Sequence, residues 1–216
     1  MVYKPKNINF KKAEAAAEAA KKSYGTKKVA DSYDPWTIED NKDYELESKK
    51  IIEIAKKYGN HNNKTLLDIG CGTGTHLSYL EKHYDCTGLD PFESMLRVAR
   101  KKLKKTKLIK GDMRYFNLKK KFDVIISLYS VISYSGTYSV FKKVLKNIYN
   151  HLNEGGILII DPFFQKEPGK KGDKYWLYNE PKKWIKIMSD IGFEAKFYKT
   201  KFLDNPKKGL YIAIKR

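Results

Sequence analysis

Hydrophobic positions along the chain change their period near residue 65. Over 10–22 the segment KKAEAAAEAA joins strong helix formers to carboxylates one turn from lysines, so a solvated helix is predicted, a frayed extension without chemistry. ADSYDPW over 30–36 carries an Asp-Pro break, after which Leu46, Ile51, Ile54 and Ala55 share one face of an amphipathic helix predicted over 39–58, ending near Gly59. Beyond the polar turn GNHNNK, short apolar runs alternate with amphipathic stretches, the pattern of a mostly parallel sheet. Strands are predicted over 65–69, 85–89, 106–110, 122–127 and 157–161, with helices over 75–83, 94–104 and 138–152. Unbroken runs such as VII and ILII require cover on both faces of that sheet. A loop rich in glycine, lysine and aromatics over 163–179 precedes a helix over 180–191. Strands over 194–202 and 209–215 flank an Asp-Asn-Pro-Lys-Lys turn, so the last strand should run antiparallel. The expected architecture is α/β: seven strands, mostly parallel, helices on both faces and an antiparallel last strand.

Composition changes this picture little. A chain of 216 residues suits one ordinary α/β domain, and 41% hydrophobic with 13% aromatic residues argues for a packed core. The apolar stretch VIISLYSVISY is too short and too rich in serine to cross a bilayer, which takes about 20 residues, and the N-terminus lacks the apolar core of a secretory signal. A cytoplasmic protein without a membrane partner is expected. Cys71 and Cys86 fall at opposite ends of neighbouring parallel strands, too far apart for the roughly 5.5 Å Cα separation of a disulfide, and read as free thiols. The net charge of +19 would attract a nucleic acid. Only Arg97, Arg100, Arg114 and Arg216 carry the planar guanidinium fork, so the lysine excess reads as genome-wide bias, with a polyanion as the alternative partner. His61, His76, His83 and His151 show no metal-ligand spacing; surface placement is expected for each, and no metal.

Chemistry concentrates in LLDIGCGTG over 66–74, directly after a predicted strand and before a helix. Gly70, Gly72 and Gly74 let the backbone turn sharply and approach a ligand without Cβ atoms in the way. A nicotinamide fingerprint would place its third glycine one residue later, where Thr75 stands. Asp68 at the strand tip would repel a pyrophosphate and suit a cation, such as a ligand with an ammonium and a sulfonium. Asp90, 20 residues after Gly70 at the tip of the second strand, is placed to accept both hydroxyl protons of a ribose. Asp112 after the third strand is placed to accept from an exocyclic adenine amine, with Met113 packing the ring.

LLDIGCGTG, GLDPFESMLRVAR, KGDMRYF, FDVIISLYSVISY and LNEGGILIIDPF, in this order over about residues 65–163, resemble the successive motifs of class I S-adenosylmethionine-dependent methyltransferases. The resemblance implies a Rossmann-like doubly wound fold and S-adenosylmethionine as cofactor. It assigns the methionine part to Asp68, Gly70 and Gly72, the ribose to Asp90, and the adenine to Asp112 and Met113. Cys71, Gly74, Pro91, Met95 and Leu128 complete the implied cofactor wall. SYDPW, NKDYELES, GTGTHLSYL and DPFF carry a closer similarity to small-molecule N-methyltransferases that dimethylate nucleotide-linked amino sugars and to their glycine-methylating relatives. That similarity implies a lid over 1–60, with Tyr33, Lys42 and Tyr44 above the methionine end, and a catalytic domain over 61–216. There are two departures. Tyr134 stands in VISYS where the family often has a histidine, and only about twenty residues separate Asp161 from the next helix where the sugar enzymes insert a β-rich lobe. An amino-sugar substrate therefore does not follow from the residues. SLYS over 127–130 also lacks the Asn/Asp-Pro-Pro-aromatic clamp of enzymes that methylate base amino groups. In-line methyl transfer to an amine needs positioning more than a strong base, and Tyr33, Tyr134 and Asp161 are the candidates to orient the acceptor. A small-molecule acceptor is the first reading. The others are an RNA or protein methyltransferase using the lysine-rich surface and a non-catalytic S-adenosylmethionine-binding module.

Overall fold

Strands β1 (Thr65–Ile69), β2 (Asp85–Asp90), β3 (Lys107–Lys110), β4 (Phe122–Ser127), β5 (Leu152–Ile160), β6 (Phe193–Lys199) and β7 (Gly209–Lys215) form one sheet in the order β3-β2-β1-β4-β5-β7-β6. The first five are parallel to one another, and β7 lies antiparallel between β5 and β6. The computed structural model describes residues 10–39, 42–60, 64–161, 177, 180–199 and 209–216. The doubly wound, mostly parallel sheet expected from the alternating pattern is thus present. The 204–208 turn and nearly all of the loop over 163–179 lie outside the described residues.

Side chains alternate across the sheet, and helices cover both faces. Leu66, Val124, Ile126, Ile157 and Ile159 point to one face, where helices α3 (Tyr44–Tyr58), α4 (Thr75–Leu80) and α5 (Glu93–Lys102) bring Ile51, Ala55, Leu77, Leu96 and Ala99. Leu67, Ile125, Leu158 and Ile160 point to the other, against Phe141, Val144, Leu145 and Ile148 of α6 (Tyr138–Asn150) and Trp184 and Met188 of α7 (Pro181–Ser189). This two-sided burial is what the VII and ILII runs require. Cys71 and Cys86 are buried free thiols.

Several expectations are corrected. Helix α1 (Phe10–Tyr24) is no frayed extension: Ala16 is fully buried, and the helix packs on the short 3-10 turn Val131–Ser135. No break falls at Asp34-Pro35, because α2 (Lys27–Glu39) runs through Pro35. The proline forfeits one backbone donor, while the adjacent Asp34 carboxylate accepts from Thr73 Oγ1 (2.5 Å), Thr75 Oγ1 (2.9 Å) and Lys102 Nζ (2.6 Å), tethers that sequence spacing does not show. Helix α3 starts at Tyr44, later than predicted, since the Asp43 carboxylate caps it by accepting the Leu46 N–H at 2.9 Å. Leu46 is 43% exposed, off the face expected for it, while Ile51 and Ala55 are buried. Strand β5 begins at Leu152, five residues early, because Leu152 pairs with Phe122 across an irregular register that absorbs the Gly155-Gly156 pair. His83 is exposed as expected, and His61 lies outside the described residues. His76 and His151 are buried instead; His151 accepts the Leu118 N–H at Nε2 (3.2 Å) and lies 2.8 Å from the Asn147 carbonyl through Nδ1. Among the described residues no helix is long and apolar enough to cross a membrane.

Trp184 anchors the α7 face. It is fully buried, 4.3 Å from the Phe141 ring and stacked 5.3 Å from Tyr211. Trp184→Ala is expected to cost about 3–5 kcal/mol in urea unfolding, because the surrounding strand and helix cannot close the void; a loss below about 1 kcal/mol would contradict this packing.

Candidate active site

The strand-to-helix turn after β1 is shaped by three left-handed glycines, Gly70 (φ +78), Gly72 (φ +54) and Gly74 (φ +75). The Gly70 and Cys71 N–H groups donate to the Leu89 carbonyl (2.7 and 3.1 Å), tying the turn to β2. A Cβ on Gly70 would strike Val131 at 2.6 Å, whereas one on Gly72 would meet nothing within 4 Å. Gly72 therefore faces open space, and this turn borders a cavity of about 770 Å³ above the C-terminal ends of β1 to β4. Gly74 does not line it, contrary to expectation. Its Cβ would lie 2.7 Å from Leu103, so this glycine permits α4 to pack on the end of α5.

Two carboxyl groups are buried on the cavity wall. Asp90 accepts the Gly72 N–H at Oδ2 (2.9 Å) and the Phe92 N–H at Oδ1 (2.8 Å). Burial pushes it up to about 6 against the pull of those two donors. Asp68 is pushed up to about 8, first by burial and then by the charge of Asp90. The standing negative charge expected at the tip of β1 is therefore largely absent at neutral pH, because among the described residues no counter-charge offsets desolvation. A cation arriving beside Asp68 would restore it. Asp112 sits past β3, where Arg114 Nε donates to its Oδ1 at 2.8 Å. That guanidinium partner escaped the sequence reading.

The remaining candidates divide by position. Pro91, Met95 and Met113 line the end near Asp90 and Asp112; Cys71 and Leu128 line the floor; Tyr33, Lys42, Tyr44 and Tyr134 line the cover. Burial raises the Tyr33 phenol well above its usual range and the Tyr44 phenol to about 12, so both stay protonated. Lys42 Nζ lies 4.2 Å from the Tyr129 ring centroid. Asp161 is not on the wall. Its Oδ1 accepts the Ser130 N–H at 3.0 Å, holding the turn where Tyr129 (φ 55) and Ser130 (φ 63) both take left-handed backbone.

A buried network went unread in the sequence. Glu47 Oε2 accepts the Tyr129 hydroxyl at 2.6 Å and pairs with His76 Nε2 at 2.7 Å, and the Tyr44 ring packs 4.8 Å from the His76 ring. One carboxylate thus joins α3, α4 and the turn after β4 beside the cavity. Its sequence signal was present, since Tyr44, Glu47, Ile51 and Ala55 recur at helical spacing and put a glutamate on the buried face. Helix α1 supplies the other omission: Glu14, Ala17, Glu18, Lys21 and Tyr24, one helical face, close the cavity from above. No group of three or more metal-ligating side chains occurs among the described residues.

Residues 66–156 match a family model described as a methyltransferase domain. A dTDP-3-amino-3,4,6-trideoxy-alpha-D-glucopyranose N,N-dimethyltransferase of Streptomyces venezuelae is 35% identical over 139 residues, which cover 64% of this chain and 58% of that protein. The chain spans between 54% and 61% of the length of this and two similar curated relatives. Among solved structures, Streptomyces venezuelae DesVI is similar with a TM-score of 0.77 at 23% identity, covering 87% of this chain and 98% of that one. CalS10, an amino pentose methyltransferase from Micromonospora echinaspora, is similar with a TM-score of 0.72 at 19% identity, covering 99% and 100%. At these identities the two structures establish the fold. Residues 66–156 are thus similar to a methyltransferase domain, and the chain shares the Rossmann-like fold of these two solved structures.

Proposed function

We propose that the chain transfers a methyl group from S-adenosylmethionine to an amine of a small molecule. The observation that carries this reading is one cavity gathering the Gly70–Gly72 turn, Asp68, Asp90 and Asp112 at the tips of three adjacent parallel strands. The site suits the cofactor: Gly72 leaves room for close approach, Asp68 is a buried carboxyl awaiting a cation, and Asp90 keeps lone pairs for a diol beyond its two backbone bonds. Asp68 would face the ammonium, with Lys42 and Tyr44 toward the carboxylate, Asp90 at the ribose, and Asp112 with Met113 at the adenine. When bound, S-adenosylmethionine supplies an activated methyl carbon, which an amine lone pair takes as the carbon–sulfur bond breaks and its electron pair stays on sulfur.

The protein's own task is then to position the acceptor and exclude water. Tyr33 and Tyr134 present phenols from the cover for that purpose. Asp161 acts one step removed, by fixing Ser130 and with it the turn that carries Tyr129. Helices α1 and α2 serve as the cover, docked by Asp34 on the glycine turn, whereas α3 packs with the sheet. Two observations support a small amine over a polyanion. Relatives from Streptomyces venezuelae and Saccharopolyspora spinosa are named as N,N-dimethyltransferases, and carboxyl groups outnumber cationic side chains on the cavity wall.

Two measurements test this reading. Asp90→Ala should weaken S-adenosylhomocysteine binding at least tenfold by calorimetry, and an unchanged affinity would refute the placement of the ribose. The raised value of Asp68 fixes the sign of a pH effect. S-adenosylmethionine must displace the Asp68 proton, so its affinity should rise with pH up to about 8, by as much as tenfold per unit, then level off. In the unliganded protein the native state keeps a proton that the unfolded chain releases near pH 4, so stability contributed here falls as pH climbs from about 4 toward 8. Asp68→Asn should flatten both profiles. A variant with wild-type pH profiles for affinity and melting temperature would show that Asp68 does not titrate against the ligand.

A further inference from the structure

The cover of the cavity is built differently from its floor. Tyr24 of α1, Tyr33 and Trp36 of α2, and Tyr134 of the 3-10 turn all line it. The Tyr24 ring lies 6.3 Å from Tyr33 and 6.3 Å from Tyr134, at interplanar angles of 79° and 87°. Tyr33 and Trp36 are 6.0 Å apart at 61°. The four rings are thus held at steep angles to one another by edge-to-face contacts along the cavity they line. Trp36 is 52% exposed at this rim, a large ring that the described residues leave half uncovered. Lys42 Nζ already stands 5.4 Å from its centroid, so the ring accepts a cation in this setting. On the α1 face that carries Tyr24, Glu14 and Glu18 outnumber Lys21, leaving it net negative.

We infer that Tyr24, Tyr33, Trp36 and Tyr134 form the acceptor subsite, an aromatic box that selects a compact aliphatic amine. The inference rests on the methyltransferase reading of this cavity and names the part of it that chooses the substrate. During transfer the nitrogen lone pair becomes the new nitrogen–carbon bond, and the positive charge leaves sulfur for nitrogen; the product ammonium then gives a proton to water. An aromatic face within about 6 Å of the nitrogen would stabilise that developing charge. An alkoxide acceptor begins negative and ends neutral, so the same rings and carboxylates would disfavour it. The box therefore separates nitrogen from oxygen acceptors, and Tyr24 and Trp36 become its specificity-determining residues. Neither was a candidate from the sequence, because α1 read as a solvated extension and Trp36 as part of a chain break.

The test uses the full chain saturated with S-adenosylhomocysteine and two compact probes, tetramethylammonium and its neutral counterpart tert-butanol, titrated by NMR. Tetramethylammonium should bind at least tenfold more tightly than tert-butanol. Tyr24→Leu and Trp36→Leu should each weaken it at least fivefold, whereas Tyr24→Phe, which keeps the ring, should stay within twofold of the wild type. S-adenosylhomocysteine affinity within threefold of wild type in both leucine variants establishes that they fold. Because Trp36 lies at the exposed rim, its variant decides the matter if Tyr24→Leu does not fold. Equal binding of the two probes, or full ammonium affinity without the rings, would overturn the box while leaving the methyltransferase reading intact. Failure of the wild-type chain to bind S-adenosylhomocysteine would instead remove that reading, and the box with it.

Discussion

Two carboxyl groups buried at the tips of neighbouring parallel strands govern this structure. A carboxylate taken out of water must find donors, a counter-charge or a proton. Asp90 finds donors in the N–H groups of Gly72 and Phe92, while Asp68 takes up a proton. The glycine turn is folded back over Asp90 for this reason, and its geometry leaves the cavity beside Gly72. A floor short of positive charge is the feature on which the proposed binding of a cationic ligand rests.

The cover is held by the same kind of interaction used for a different end. Asp34 gathers two threonine hydroxyls and an ammonium, Glu47 gathers a phenol and an imidazole, and Asp161 fixes one backbone amide. Each joins elements far apart in the chain. Together they set α2, α3 and the turn after β4 around the cavity, so the positions of Tyr33, Tyr44 and Tyr129 depend on acids that touch no ligand in the proposed scheme. Changing these acids would alter the site through its geometry, which separates them from Asp68 and Asp90.

The charge of the chain as a whole is a poor guide to this site. A net charge of +19 describes the lysine-rich exterior, whereas the cavity wall is richer in carboxyl groups than in cations. Local potential inside a partly closed cavity follows the nearest groups, because distant surface charges are screened by water and salt over roughly 10 Å. That local balance is what the proposed amine acceptor relies on, and two relatives are named as N,N-dimethyltransferases.

The sequence by itself determined the sheet, its doubly wound cover and the floor of the site. These rest on short-range regularities: unbroken apolar runs, helical periodicity, and a glycine turn with acids at set distances along the chain. Only the tertiary structure decided the cover. Whether α1 is solvated or roofs a cavity, whether α2 runs through Pro35, and whether His76 is exposed or bound to Glu47 all depend on partners tens of residues away. The protonation of Asp68 belongs there too, since its position at a strand tip was legible while the depth of its burial was not. Local spacing records what a residue presents to its own helix or strand; desolvation and long-range hydrogen bonds are set by what the finished fold packs around it.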